Sequence, residues 1–344
     1  MSIQVIDPLV DDRWVDLLSR HPSASAFHQR GWLQALHATY KYEPIVLTTA
    51  PVDETLSDGI VLCRVSSWLT GTRLVSLPFA DHCQPLLSGG SEPEFTEWLQ
   101  EECRSQSLKY VELRPLSRLG DGLRGWQSSR SYCFHELDIS DSSEMIFQRF
   151  HRDSIQRKIR RAQKEGLSYE AGKSEKLVNE FYRLLLVTRR RHGLLPQPRQ
   201  WFQHLVQYMG ESLCIRVARD GPNPVAAILS IRQGPTATYK YGCSDERYHS
   251  LGGMPFLFWK LVQESKAQGV VNIDFGRSDL DNKGLITFKN KLGATQRLIT
   301  YYRSPHAMND SGIMQSSKIA RRSLMFLPDS LYSAAGGLLY RHMG

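Results

Sequence analysis

Three short stretches hold residues whose types and spacing could do chemistry. In Arg247-Tyr248-His249-Ser250-Leu251-Gly252-Gly253, an arginine precedes paired glycines where a helix should begin near Met254. Glycine there lets backbone N–H groups approach an anion, and the helix dipole favours phosphate. Arg247 would add a bidentate charge, although a plain Gly-Gly turn explains the same residues equally well. In Phe288-Lys289-Asn290-Lys291-Leu292-Gly293, two lysines straddle what reads as a turn before the final strand. A lysine in a cleft can neutralise a phosphate or a developing anion; a solvated basic loop with Phe288 as a core plug is the simpler account. In Ser76-Leu77-Pro78-Phe79-Ala80-Asp81-His82-Cys83, Asp81 sits beyond a strand end and could accept a proton from an attacking amine or hydroxyl. A turn aspartate bonded to its own backbone is the commoner source of such a residue.

A fourth feature is a charge run. Arg149–Lys164 carries seven basic residues and one acid, Asp153. Ile155, Ile159 and Ala162 recur at helical spacing, so this segment reads as part of one helix, Ser142–Glu165. Its basic side, with Arg157, Arg160, Arg161 and Lys164, is a solvated face or a surface for an anionic partner such as RNA or a pyrophosphate-bearing lipid.

The elements that must position these residues repeat. The first half reads as a helix (Gly31–Tyr40), strands (Ile45–Thr48, Ile60–Val65, Arg73–Leu77), a helix (Pro93–Ser107) and a strand (Tyr110–Leu113). The second half reads as helices (Glu175–His192, Arg199–Tyr208), strands (Leu213–Ala218, Val225–Arg232, Thr236–Tyr241), a helix (Met254–Gln268) and a strand (Val271–Asp274). Asp220-Gly221-Pro222-Asn223-Pro224 and Gln233-Gly234-Pro235 supply hairpin turns. The order and spacing suggest an internal duplication. Ser117–Ser131 reads as a connection, and Phe134–Asp138 as the strand opening the second half. The expected division is 1–130, 131–305 and a tail, 306–344, containing basic Lys318–Arg322 and apolar Phe326, Leu327, Leu331 and Leu338. That tail is amphipathic and helical, docked on the protein or in peripheral membrane contact.

Composition bounds the rest. With 344 residues, 41% of them hydrophobic, the chain can fill two cores. No apolar run approaches the ~20 residues of a membrane span. Met1 to Val10 lacks a basic-then-apolar signal pattern, so the expected location is cytoplasmic, or peripheral at the inner membrane. The six cysteines are scattered without C-x-x-C pairing and read as buried thiols, not metal ligands; no metal is expected. The net charge of +8 favours an anionic partner. Two kinase-like triplets, at Asp153 and Asp274, fail because Lys158 stands where the catalytic loop needs asparagine.

Several blocks in order resemble FemAB-like proteins. They are Phe27-His28-Gln29 with Trp32, Leu74–Phe79, Tyr110–Arg114, Ile155–Leu167, Tyr239–Gly242 and Phe288–Gly293. The likeness runs from about Phe27 to Tyr302, and the tail resembles that of CelD-like relatives linked to exopolysaccharide loci. This resemblance implies an α/β (α+β) chain of two tandem GNAT-like domains, each a mixed, mainly antiparallel sheet flanked by helices. It implies a transferase moving an acyl or aminoacyl group to an amine or hydroxyl of a cell-envelope polysaccharide or peptidoglycan precursor. The donor would be acyl-CoA or aminoacyl-tRNA; acyl-CoA is preferred because of the Arg247 arm, and the absence of the long coiled-coil arm of some tRNA-using members counts against tRNA. Phe288 and Lys289 match the family's donor-side motif, and Asp81 its acceptor-side acid. Arg247 with Gly252 resembles the pyrophosphate arm of GNAT proteins, Ser250 replacing its first glycine. In that scheme Asp81 or Tyr241 handles the proton, while Arg247, the Gly252–Gly253 amides and Lys289 hold donor phosphate or oxyanion. The rival class is a non-catalytic protein binding RNA or anionic lipid.

Overall fold

The computed structural model describes residues 3–87, 91–118, 125–305 and 326–344. It divides into two compact units. The first comprises 1–132 with 298–318 and 337–344; the second, 133–297 with 319–336.

In the first unit, β1 (Gln4–Ile6), β2 (Glu43–Thr48), β3 (Ile60–Val65) and β4 (Arg73–Val75) form an antiparallel run. β5 (Val111–Leu113) joins β4 in parallel, and β12 (Thr295–Ser304) pairs antiparallel with β5. α1 (Asp12–Arg20) and α2 (Arg30–Tyr40) bury Trp14 and Trp32, while α3 (Glu92–Ser105) lays Phe95 and Leu99 on Leu62, Leu74 and Val111. The amphipathic spacing of these apolar residues is what folds each helix onto the sheet.

The second unit repeats the plan. β7 (Ser168–Gly172), β8 (Leu213–Asp220), β9 (Asn223–Gln233) and β10 (Thr236–Ser244) run antiparallel, and β11 (Asn272–Asp279) joins β10 in parallel. β6 (Gln127–Asp138) lies beside β11. Both hairpin turns are two residues long, closed by the pairs Asp220↔Asn223 and Gln233↔Thr236. Each places glycine at positive φ, +55° at Gly221 and +52° at Gly234, ahead of proline. That backbone follows the twist of the flanking strands, so Gly-Pro fixes the register.

α6 (Glu175–Arg191) and α7 (Arg199–Met209) cover the sheet with Phe181, Trp201 and Phe202. Ser174 caps α6 by accepting from the Leu177 N–H, and Arg189, Arg190 and Arg191 close its last turn, where cations suit the helix dipole. A second cluster holds Ile159, Leu257, Phe258 and Ile273, joining α8 (Gly253–Ala267) and α5 (Arg157–Lys164) to the sheet.

Three sequence expectations change here. The helix read as Ser142–Glu165 is broken into α4 (Ser143–Arg149), a wide turn at Arg152–Gln156, and α5. His151 restarts it, its Nδ1 accepting from the Ser154 N–H; the break still buries Ile155, Ile159 and Ala162 on one side. Phe288 and Lys289 lie in a helix, α9 (Lys283–Lys291), not a turn, because Asn282 caps it through the Leu285 N–H. Gln127–Ser131, read as connection, is strand.

The last helix, α10 (Asp329–Tyr340), seats its first turns on the second unit. Tyr332 is buried, its hydroxyl donating to the Leu194 carbonyl and its ring lying under Arg190, 4.6 Å from the guanidinium carbon. In the first unit, Tyr42 donates to the Tyr340 carbonyl and Arg73 to that of Gly344. Lys318–Arg322 falls outside the described residues. Among the described residues no helix is long and apolar enough to cross a membrane.

Candidate active site

The second unit contains a cavity of about 730 Å³ lined by the last part of β10, Tyr239 to Ser244, beyond the point where β10 and β11 cease to pair. These strands pair only from Thr236↔Asn272 to Thr238↔Asp274, yet run on to Ser244 and Asp279. Two local devices accompany the divergence. β10 carries a bulge between Tyr239 and Tyr241, whose extra residue bends it. β11 kinks at Gly276, φ +67°. The Lys289 ammonium then ties that end down, donating to the carbonyls of Gly276 at 3.0 Å and Arg277 at 3.1 Å and to Ser278 Oγ at 2.9 Å.

The cavity mouth is cationic. Arg157 and Lys158 of α5, Arg191 of α6 and Lys291 of α9 line it against one carboxylate, Asp153. α8 brings its amino end to the same space, Gly252, Gly253 and Met254 being lining residues. The amides of Gly253 and Met254 have no carbonyl four residues back within the helix, so they are open to an anion. Two glycines make this approach possible. Gly252 has φ +79°, and a Cβ there would stand 2.5 Å from the Lys158 carbonyl oxygen. A Cβ on Gly242 would overlap the Tyr239 hydroxyl. Gly252→Ala should therefore cost about 1–3 kcal/mol from left-handed strain and push α5 away from α8. Thermal melting checks the first effect, and weakened binding of an anionic donor the second.

His192 and His249 also line the cavity. Burial, then the neighbouring Arg191 and Arg189, lowers the pKa of His192. Burial, then Arg191 and Lys158, lowers that of His249, opposed by Glu246 and Asp245. Both imidazoles are thus biased toward the neutral form. His249 Nε2 stands 2.9 Å from Ser244 Oγ and 3.3 Å from an Arg191 Nη.

The residues singled out from sequence separate. Phe288, Gly252, Gly253 and Arg157 border the cavity. Arg160, Arg161 and Lys164 follow along the exposed side of α5. Ser250 is exposed and lies off the lining. Arg247 folds its guanidinium onto the Asp245 carboxylate, with Nε 3.0–3.1 Å from both oxygens, and is not among the cavity's lining residues. Tyr241 is also absent from the lining. Its hydroxyl accepts from Trp201 Nε1 at 3.0 Å, buried on the α6 and α7 side. Lys289 is 3% exposed, bonded to the β11 turn and not a lining residue. Asp81 belongs to the first unit, where its carbonyl accepts from the Tyr301 hydroxyl at 2.6 Å. Its loop holds Leu77 at φ 51° and Phe79 at φ 61°, conformations that bulky residues rarely adopt.

Sequence reasoning missed Ser244, His249 and Arg191. Thr188 and Ser244 are 56 residues apart and meet only because α6 packs on β10; no local spacing signals it.

Residues 149–284 match the family model described as the acetyltransferase (GNAT) domain. This stretch supplies every cavity-lining residue except four on α9, Leu285, Thr287, Phe288 and Lys291. The second unit thus carries a GNAT-type acetyltransferase domain, and the solved structures below share the tandem fold of the whole chain. Among solved structures it is similar to FemX, at 13% identity and TM-score 0.69, covering 88% of this chain and 97% of that one. It is also similar to the C-terminal domain of a putative lysylphosphatidylglycerol synthetase from Agrobacterium fabrum, at 14% identity and TM-score 0.58 over 85% and 90% of the two chains. A tandem GNAT protein from the clavulanic acid biosynthesis pathway follows at 11% identity and TM-score 0.55, over 90% and 100%. No curated protein sequence matches the chain significantly.

Proposed function

We propose that the protein transfers an acyl group from acyl-CoA to an amine or hydroxyl of a cell-envelope polysaccharide or peptidoglycan precursor. The observation that carries this reading is the cation-lined cavity beside the last part of β10, with the amino end of α8 opening into it. Its volume suits a substrate arm of drug-like size. Arg157, Lys158 and Arg191, with the amides of Gly253 and Met254, would hold donor phosphates at the mouth. Phe288 and Tyr239 would line the arm, holding the reactants close enough for direct reaction. The acceptor class rests on the FemAB and CelD resemblance, as does Asp81 as acceptor-side acid. Asp81→Asn should lower kcat by about 10²–10⁴-fold if that carboxylate moves the proton; an unchanged kcat would remove it from the scheme.

Isothermal titration with acetyl-CoA tests the donor. Binding is expected, weakened about tenfold or more by Arg191→Ala, since hydrogen bonds to charged groups contribute about 1.5–3 kcal/mol. Failure to bind acetyl-CoA, with tRNA retarded on a gel, would assign an aminoacyl-tRNA donor instead. The exposed row Arg160, Arg161 and Lys164, continuing from Arg157, favours that second reading, and also a purely RNA- or lipid-binding role. Such binding would fall steeply with salt. Peripheral membrane contact through the tail belongs to the same proposal and is read by vesicle sedimentation.

A further inference from the structure

The first unit presents a tryptophan that its own core does not use. Trp68 lies in the turn between β3 and β4 and is 88% exposed, with Leu69 beside it 42% exposed. The turn is built to hold that ring out. Ser67 is buried, and its Oγ accepts from the N–H groups of Leu69 at 3.2 Å and Thr70 at 3.0 Å. The Gly71 N–H closes the turn on the Ser67 carbonyl at 2.8 Å, with Gly71 at φ +81°. With two donors already on its oxygen, Ser67 Oγ gives its own proton to His342 Nδ1, 2.8 Å away. The His342 carbonyl accepts from Thr70 Oγ1 at 3.1 Å and from an Nη of the buried Arg73 at 2.9 Å. The His342 ring meets Trp68 edge-on, the centroids 5.6 Å apart. The chain after α10 thus braces the turn, and Met343, itself partly exposed, adds an apolar side chain next to His342.

Shape and charge say what covers this turn. A stable protein interface takes about 800 Å² from each partner and seats its aromatic anchors inside a rim that excludes water. One tight turn offers no such rim. A lipid surface asks less: an indole settles at headgroup level, its body among the acyl chains and its N–H in the polar layer, and apolar neighbours enter beside it. The flanking charges suit an anionic surface. Lys109 is exposed and its stem runs alongside Gly71, where a Cβ would stand 3.6 Å from Lys109 Cδ. Arg341 is exposed and adjoins His342. Neither 64–73 nor 337–344 contains an acid. We infer that the β3–β4 turn is a membrane-interfacial anchor, Trp68 and Leu69 entering an anionic phospholipid surface with Lys109 and Arg341 at its headgroups. Because the turn's hydrogen bonds and the His342 contact fix the indole in advance, little ordering cost is left for binding. The anchor adds a second, differently built element to the peripheral contact proposed for the tail, and it does not depend on the donor reading of the cavity.

The test sediments the full chain with vesicles of phosphatidylcholine alone and of phosphatidylcholine with phosphatidylglycerol. Binding to the anionic vesicles is expected, falling as salt rises. Trp68→Ala should weaken it about tenfold or more, the size of burying one large apolar side chain, and Trp68→Phe should keep most of it. Lys109→Ala combined with Arg341→Ala should lose roughly tenfold or more on anionic vesicles and little on neutral ones. Brominated lipid should quench the wild type more than Trp68→Phe, a difference that isolates this ring among the chain's seven tryptophans. Thermal melting and acetyl-CoA titration should not change in Trp68→Ala, because the ring is exposed and lines no part of the cavity. Vesicle binding that depends on Trp68 in a chain that fails to bind acetyl-CoA would keep the anchor and sink the donor reading alone. Equal sedimentation of wild type and Trp68→Ala, including none by either, would overturn the anchor. Binding lost only when Phe326 and Leu331 are changed to serine would give the contact to the tail instead. A Trp68-dependent change of oligomeric state without vesicle binding would make the turn a protein interface and overturn the lipid assignment.

Discussion

Glu112→Ala should destabilise the first unit by about 3–5 kcal/mol, the size seen when one partner of a buried ion pair is removed. Glu112 is 3% exposed in the short central strand β5. Its two oxygens take one arginine each: Arg114 Nε at 2.7 Å on Oε1 and Arg303 Nε at 2.5 Å on Oε2. Arg303 is the direct cross-strand partner of Glu112 on β12. Arg114 also donates to the Leu77 carbonyl at 2.9 Å, tying the triad to the loop that carries Asp81. Without the carboxylate, two cations face one another with their counter-charge gone. Burial pushes the Glu112 carboxyl up, but Arg114 and Arg303 outweigh it and hold the group below its ordinary 4.5. The folded pKa lies below the unfolded one. The triad's stabilisation is therefore complete above the ordinary carboxylate range and is lost as pH falls through the folded value. Urea melts in an acid series should show the wild type losing stability below about pH 4.5 and Glu112→Ala following a flatter course. Equal slopes, or a loss under 1 kcal/mol at neutral pH, would show that the triad contributes little.

How much of this was legible from sequence depends on the range of the interaction. Gly221-Pro222 and Gly234-Pro235 announce their hairpins because turn geometry is decided within four residues. Ile155, Ile159 and Ala162 announce a buried helical face for the same local reason. The edge strands β1 and β7 were missed. Each is three to five residues long and only partly buried, so neither carries a two-residue alternation long enough to register. The glycines at the start of α8 were legible as a helix amino end and do border the cavity, but the arginine meant to accompany them does not. Arg247 is adjacent in sequence and turned onto Asp245, while of the arginines that line the cavity, Arg157 comes from α5 and Arg191 from the last turn of a distant helix. Lys289 shows the limit from the other side. Its motif marks it as important, but a residue name cannot say whether an ammonium meets a ligand or a backbone.

That distinction makes Lys289→Met the most informative variant of the cavity wall. The three acceptors it leaves, the Gly276 and Arg277 carbonyls and Ser278 Oγ, include buried atoms. An unsatisfied buried acceptor costs about 1–3 kcal/mol. The kinked end of β11 would relax into whatever conformation restores those bonds, carrying the wall beside Phe288 with it. A displacement near 1 Å at a positioning element can cost about 10²-fold in rate, and transfer activity should fall by that order. Positioning and chemistry then part in their readouts. If the lysine positions, the acetyl-CoA Kd should rise along with the loss of kcat. Amide exchange at Gly276–Ser278 should quicken, and the pH profile should keep its shape, because no titrating group has left the reaction path. Arginine should not rescue, since a planar fork cannot replace three convergent ammonium bonds in so closed a space. Unchanged exchange and donor affinity with kcat alone reduced would mean that Lys289 meets the reacting atoms after all, and the β11 clamp would be a resting-state contact.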